Sequence, residues 1–135
     1  MEKKFLKKII AQSPEDLQII SACCSEAKVK ISDIKYLGSN KIFLLSLLRL
    51  DKENENNKNL INNIIKFEFI ESSRSKNIDQ NNRNVVLELL AIDLYKREGN
   101  LEINLLFSKN RLITLSAEVI EVTLEDQKIK NDKTN

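Results

Sequence analysis

Beyond Ala27 the apolar residues of this 135-residue chain stop recurring every three or four positions and begin to alternate. The first period lays one face of a helix on a core, and the second does the same for a strand. One substantial helix near the N-terminus, followed by strands, is therefore predicted. The helix start is well marked: Ser13 is a capping residue type, Pro14 suits the first helical position, and Glu15 and Asp16 complement the positive end of the dipole. Leu17, Ile20, Cys23, Cys24 and Ala27 fall on one side, which carries the helix to the neighbourhood of Ala27.

Strands are expected over 28–36, with a bulge near Ser32 and Asp33, and over 41–50, which is apolar on both faces and so covered on both. Between them, Leu37, Gly38, Ser39 and Asn40 make a turn, since Gly and Asn tolerate positive φ. The segment 63–71 alternates, with Ile65, Phe67 and Phe69 on one side and Lys66 and Glu68 on the other. Segments 84–95 and 101–107 form a hairpin across 96–100, and Lys109-Asn110 turns into a last strand over 111–124. That strand changes phase between Val119 and Ile120, as a strand does when it bends around a corner. The polar runs 51–59 and 79–84 are expected to be exposed loops. The fold class is thus α+β: a bent, mostly antiparallel sheet, either a meander or a partly closed barrel, with one N-terminal helix. Residues 1–126 are expected to form a single domain and 127–135 a flexible tail.

Composition excludes several chemistries. Histidine is absent, which removes the commonest general base and the commonest zinc ligand. The two cysteines, Cys23 and Cys24, are adjacent; they lack the spacing of a redox or metal motif and lie on the apolar side of the helix, where they pack as small hydrophobes. Two such thiols fit a reducing compartment, and the cytoplasm is expected. The only two glycines, Gly38 and Gly99, fall in turns, so no phosphate-cradling loop is present. Lys and Arg number 22 against 20 Asp and Glu, a net charge of +2, too balanced for nucleic-acid binding by the whole domain. The N-terminal Lys3, Lys4, Lys7 and Lys8 interrupt Phe5, Leu6, Ile9 and Ile10, which reads as a solvated edge strand rather than a signal peptide. No apolar run is long enough to span a bilayer. Glu88, Asp93, Glu118 and Glu121 read as surface carboxylates, and Asp33 and Asp79 as turn caps.

The sharpest polar cluster is 72–79, where two cations and three serines follow a strand. Arg74, Ser75 and Lys76 are the candidate anion-binding residues, a guanidinium fork with a hydroxyl and an ammonium beside turn amides. No catalytic residue, metal ligand or cofactor site is expected.

Several pieces in order carry a family resemblance: Pro14-Glu15-Asp16-Leu17, Ile31-Ser32-Asp33-Ile34-Lys35-Tyr36-Leu37, Phe67-Glu68 leading into Arg74-Ser75-Lys76-Asn77-Ile78-Asp79, Val86-Leu87-Glu88-Leu89-Leu90-Ala91-Ile92, and Ile120-Glu121-Val122-Thr123-Leu124-Glu125-Asp126. The chain resembles an uncharacterised domain-of-unknown-function family of small cytoplasmic proteins found mainly in alphaproteobacteria. It departs from the family's pattern at Asn77, where glycine is usual, and has fewer glycines in the last hairpin. The resemblance implies a cytoplasmic bacterial protein and no particular activity. The expected function is a non-enzymatic binding or adaptor module, with a protein as the partner class. The alternatives are a small-anion or nucleotide-binding protein using Arg74 and Lys76, and a nucleic-acid contact through the N-terminal lysines.

Overall fold

A computed structural model describes residues 7–50 and 60–127. The expected loop over 51–59 and nearly all of the expected tail over 127–135 lie outside the described residues.

Helix α1 (Pro14–Cys23) starts where the sequence marks it. Ser13 Oγ accepts the Asp16 N–H at 3.2 Å, and Leu17 and Ile20 are buried. It ends four residues before Ala27. Ala27 satisfies both periods, three on from Cys24 and two before Val29, and the strand takes it. Glu26 turns the chain through a left-handed φ of 71°, and β2 (Ala27–Lys30) begins. The helix is not the first element either: β1 (Lys8–Ala11) precedes it, an edge strand as the lysines suggest.

The expected strand over 28–36 is two strands. A 3-10 turn at Ile31–Asp33 separates β2 from β3 (Ile34–Leu37). The Ile31 and Ser32 N–H groups bond to Val85 and Arg83 carbonyls, so the break is hydrogen-bonded rather than a bulge. The following turn places its positive φ on Lys41, at 58°, not on Gly38 or Asn40. Strand β4 (Ile42–Leu50) buries one face completely, through Phe43, Leu45, Leu47 and Arg49, and half-covers the other. The expectation of full cover on both faces is corrected accordingly.

Strand β5 (Leu60–Phe67) ends at a corner, and β6 (Ile70–Lys76) follows it after two residues. Simple alternation places Phe69 inward with Ile65 and Phe67. It instead sits in the corner at φ 60°, 46% exposed, and Ile70 is buried in its place. The hairpin of β7 (Val86–Arg97) and β8 (Asn100–Phe107) turns at Glu98-Gly99, with Gly99 at φ 82°. Strands β9 (Arg111–Ala117) and β10 (Val122–Asp126) flank a second corner, where the phase change was expected. The corners are stitched together: Glu68 N–H bonds to Glu121 O at 2.9 Å, and Glu118 N–H to Phe69 O at 3.0 Å.

All pairing is antiparallel, in one open sheet ordered β1-β10-β5-β4-β2-β7-β8-β9-β6, with β3 beside β4. Because β5 pairs with β10 and β6 with β9, the same two chain segments run together through both corners, and the sheet bends sharply between them. One core fills the bend, centred on Phe43, Phe67, Ile65, Leu89, Leu105 and Leu115.

Candidate binding site

The corner at Glu68-Phe69 sends β6 away from β4. As strands, β3 pairs with β4 alone and β6 with β9 alone, while the Ile70 N–H at the start of β6 bonds to Lys41 O at 2.9 Å. Between β3 and β6 lies a cavity of about 170 Å³. Its apolar wall is Ile31, Phe43 and Ile113, and Phe43 stacks edge-on to Phe67 behind it, 6.0 Å between centroids. Ser73 and Ser75 line the β6 side, and Gln80 and Arg83 close the rim from the connection between β6 and β7. Gln80 Nε2 donates to Ser75 Oγ at 3.1 Å. Across the gap Tyr36 of β3 donates its O–H to Ile70 O at 3.1 Å. Asp79 steadies the connection as a turn cap, accepting the Asn81 N–H at 3.0 Å. Arg83 makes no ion pair with the described residues, so an exposed guanidinium stands free beside an apolar recess.

The structure does not bring Arg74, Ser75 and Lys76 together. All three are on β6, not in a loop, and strand alternation splits them. Ser75 faces the cavity, while Arg74 and Lys76 are exposed on the opposite face. There Arg74 stands beside Thr114 in a polar row. Thr114 Oγ1 donates to Asn104 Oδ1 at 2.8 Å, and Asn104 Nδ2 to Glu102 Oε2 at 3.1 Å. Arg97 grips both Glu102 oxygens, each at 3.3 Å. The Arg97 bond, then the Asn104 bond, holds the Glu102 carboxyl below the ordinary glutamate range, and the charges of Arg97 and Arg74 add to this. Glu102 in turn raises the Arg97 guanidinium. Arg74 thus already faces a carboxylate, which competes with any exogenous anion.

The carboxylates noted in the sequence do not gather. Glu88 pairs with Lys28, Glu118 with Lys41, and Glu121 accepts from Gln12. Cys24 is buried and Cys23 half-buried. Among the described residues no group of three His, Cys, Asp or Glu can hold a metal ion, and no helix is long and apolar enough to cross a membrane. Lys3 and Lys4 lie outside the described residues; Lys8 is exposed on β1.

A second polar cluster, not marked by any motif, is buried where β4, β5 and β10 meet. Arg49, Asn63 and Asp126 are 3%, 1% and 7% exposed. Arg49 Nη2 meets Asp126 Oδ1 at 3.1 Å, Arg49 Nε donates to Asn63 Oδ1, and Asn63 Nδ2 donates to Asp126 Oδ1. The Lys7 N–H donates to Asp126 Oδ2 at 3.0 Å. Each residue extends an inward series, Phe43-Leu45-Leu47-Arg49, Phe67-Ile65-Asn63 and Val122-Leu124-Asp126, and that parity was the available signal. Arg83, in an irregular connection, had none.

These features define a class: an antiparallel single-sheet α+β domain with a small, polar-rimmed cavity at an unpaired sheet edge. The chain belongs to the family described as "Protein of unknown function (DUF2948)", which matches residues 7–135. No curated protein and no solved structure matches it.

Proposed function

We propose that the chain is a non-enzymatic binding module whose ligand sits in the cavity between β3 and β6. The observation that carries this reading is the lining itself, an apolar recess with three hydroxyls, an amide and one guanidinium without an ion pair among the described residues. Such a lining holds an apolar body and fixes its orientation through a few polar contacts. The serines of the lining have no carboxylate or thiol beside them in it, which supports a binding reading. The two adjacent cysteines, Cys24 buried and Cys23 half-buried, support a reducing compartment, the cytoplasm, for this activity.

The test is amide chemical-shift mapping by NMR with benzoate, with benzyl alcohol as uncharged control and inorganic phosphate as bare anion. Benzoate is expected to shift Ser73, Ser75 and Ile113, the alcohol to bind more weakly, and Arg83→Gln to cost about tenfold in benzoate affinity, as loss of a charged hydrogen bond does. Shifts from phosphate centred on Arg74 and Lys76, with none from benzoate in the cavity, would transfer the site to the outer face.

A further inference from the structure

We propose that the ligand of this cavity is a small, free monocarboxylic acid, its apolar body seated in the recess and its carboxylate on the Arg83 guanidinium. This rests on the binding-module reading and names its ligand class. Size is the first restriction. An apolar cavity of about 150 Å³ holds one benzene ring. The recess, at about 170 Å³, therefore admits a single six-membered ring or a branched chain of similar bulk. Drug-sized ligands and cofactors occupy roughly 300–1,000 Å³ and do not fit. The walls then set the direction of entry. Ile31, Phe43 and Ile113 are 7%, 2% and 3% exposed, whereas Gln80 and Arg83 at the rim are exposed. An apolar end gains most where it leaves water completely, so it lies deep and the polar end stays at the mouth.

The number of charges decides which polar end. Among the described residues that line the cavity, Arg83 alone is charged, and it makes no ion pair with the others described. A carboxylic acid is a monoanion at neutral pH, and its two oxygens match the guanidinium fork. A phosphate monoester or a dicarboxylate brings a second negative charge. One guanidinium offsets only the first, and neither a glycine turn nor α1 adds amides to the lining for the other. That second charge would lose its water against isoleucine without compensation. A neutral molecule of the same shape fills the recess but gains nothing from Arg83.

Titration of the full chain, followed by the amide shifts of Ser75 and Ile113, tests this with five probes: benzoate, isovalerate, benzamide, terephthalate and 2-naphthoate. The two small acids should bind about tenfold more tightly than benzamide, the neutral match of benzoate. Terephthalate, which carries its second carboxylate to the deep end, and 2-naphthoate, which is one ring too large, should bind at least tenfold more weakly than benzoate. In Arg83→Gln the preference for benzoate over benzamide should fall to near one while benzamide affinity stays as in wild type, and Arg83→Lys should keep part of the preference. Arg83 is exposed, and unchanged benzamide binding verifies that the variant's cavity is intact. Equal binding of benzoate and benzamide to wild type overturns the acid class and leaves the binding-module reading standing; no shift in the cavity with any probe removes both. Terephthalate binding as tightly as benzoate overturns the single-charge argument. Tighter binding of an acetylated tripeptide ending in phenylalanine than of benzoate assigns the cavity to a protein C-terminus and overturns the free acid.

Discussion

Replacing Asp126 with Ala should cost far more than any surface substitution in this chain. The side chain is 7% exposed and pairs with Arg49, which is 3% exposed. Removing it leaves a guanidinium buried without its counter-charge, strips Asn63 Nδ2 of its acceptor, and orphans the Lys7 N–H. Breaking a buried pair from one side costs about 3–5 kcal/mol. Against a total stability of about 5–15 kcal/mol for a domain, that is a large fraction. With a urea slope of about 2 kcal/mol/M, a loss of about 4 kcal/mol lowers the midpoint by about 2 M. Equilibrium urea unfolding followed by far-UV circular dichroism reads this directly. Glu118→Gln breaks the exposed pair with Lys41, 3.4 Å long, and serves as the comparison; it should stay within about 1 kcal/mol. The triple variant Arg49→Met, Asn63→Leu, Asp126→Leu removes every charge and amide of the cluster together. It should recover most of the loss, because matched apolar replacements avoid the desolvation penalty. A midpoint shift below about 0.5 M for Asp126→Ala, equivalent to about 1 kcal/mol, would refute the argument. It would mean that water reaches the guanidinium.

Two further outcomes follow from the corner and from the outer face. Phe69→Gly should change stability by no more than about 1 kcal/mol, since relief of a left-handed backbone offsets glycine's entropy, whereas Phe67→Ala, fully buried, should cost about 3–5 kcal/mol; a large loss at Phe69 in thermal melts would show that its ring packs. The Glu102 carboxyl, followed by carbon-detected NMR, should titrate below ordinary glutamate, and Arg97→Gln should raise it. A depressed folded-state value means that this network's contribution is present above the ordinary glutamate range and is lost as pH falls through the depressed value; an unchanged Glu102 midpoint in Arg97→Gln would contradict the assigned cause.

Much of the fold was legible because local signals agreed with tertiary need. Ser13, Pro14, Glu15 and Asp16 mark a helix start that the structure keeps, and Lys109-Asn110 marks a turn, with both residues at positive φ. The phase change near Val119 located one corner. Its counterpart at Phe69 was hidden, because an aromatic residue continues the apparent alternation of Ile65 and Phe67 while its backbone adopts a conformation that a side chain disfavours. Ala27 was ambiguous for a different reason: a small apolar residue fits both a helix face and a strand face.

The binding site was less legible than the fold because its position is set by backbone geometry and its chemistry by parity. In sequence Ser73, Arg74, Ser75 and Lys76 form one polar run, and nothing in residue type assigns them to opposite faces. Carried on from Ile65 and Phe67, alternation already sets Ser73 and Ser75 inward and Arg74 and Lys76 outward, because the corner at Glu68-Phe69 and the register shift between Ile70 and Ser72 each move it by one step and so cancel. With those two slips in place, both serines face the recess and both cations face out. Arg83 then becomes the cation that matters, delivered by a connection anchored where Ser32 N–H bonds to Arg83 O at 3.1 Å. That bond ties the rim of the cavity to the 3-10 turn that separates β2 from β3, so the break in the predicted long strand and the free edge of β3 have one origin. The same turn withholds β3 from β7, which makes its unpaired edge a product of the fold's own hydrogen bonding rather than of a missing strand.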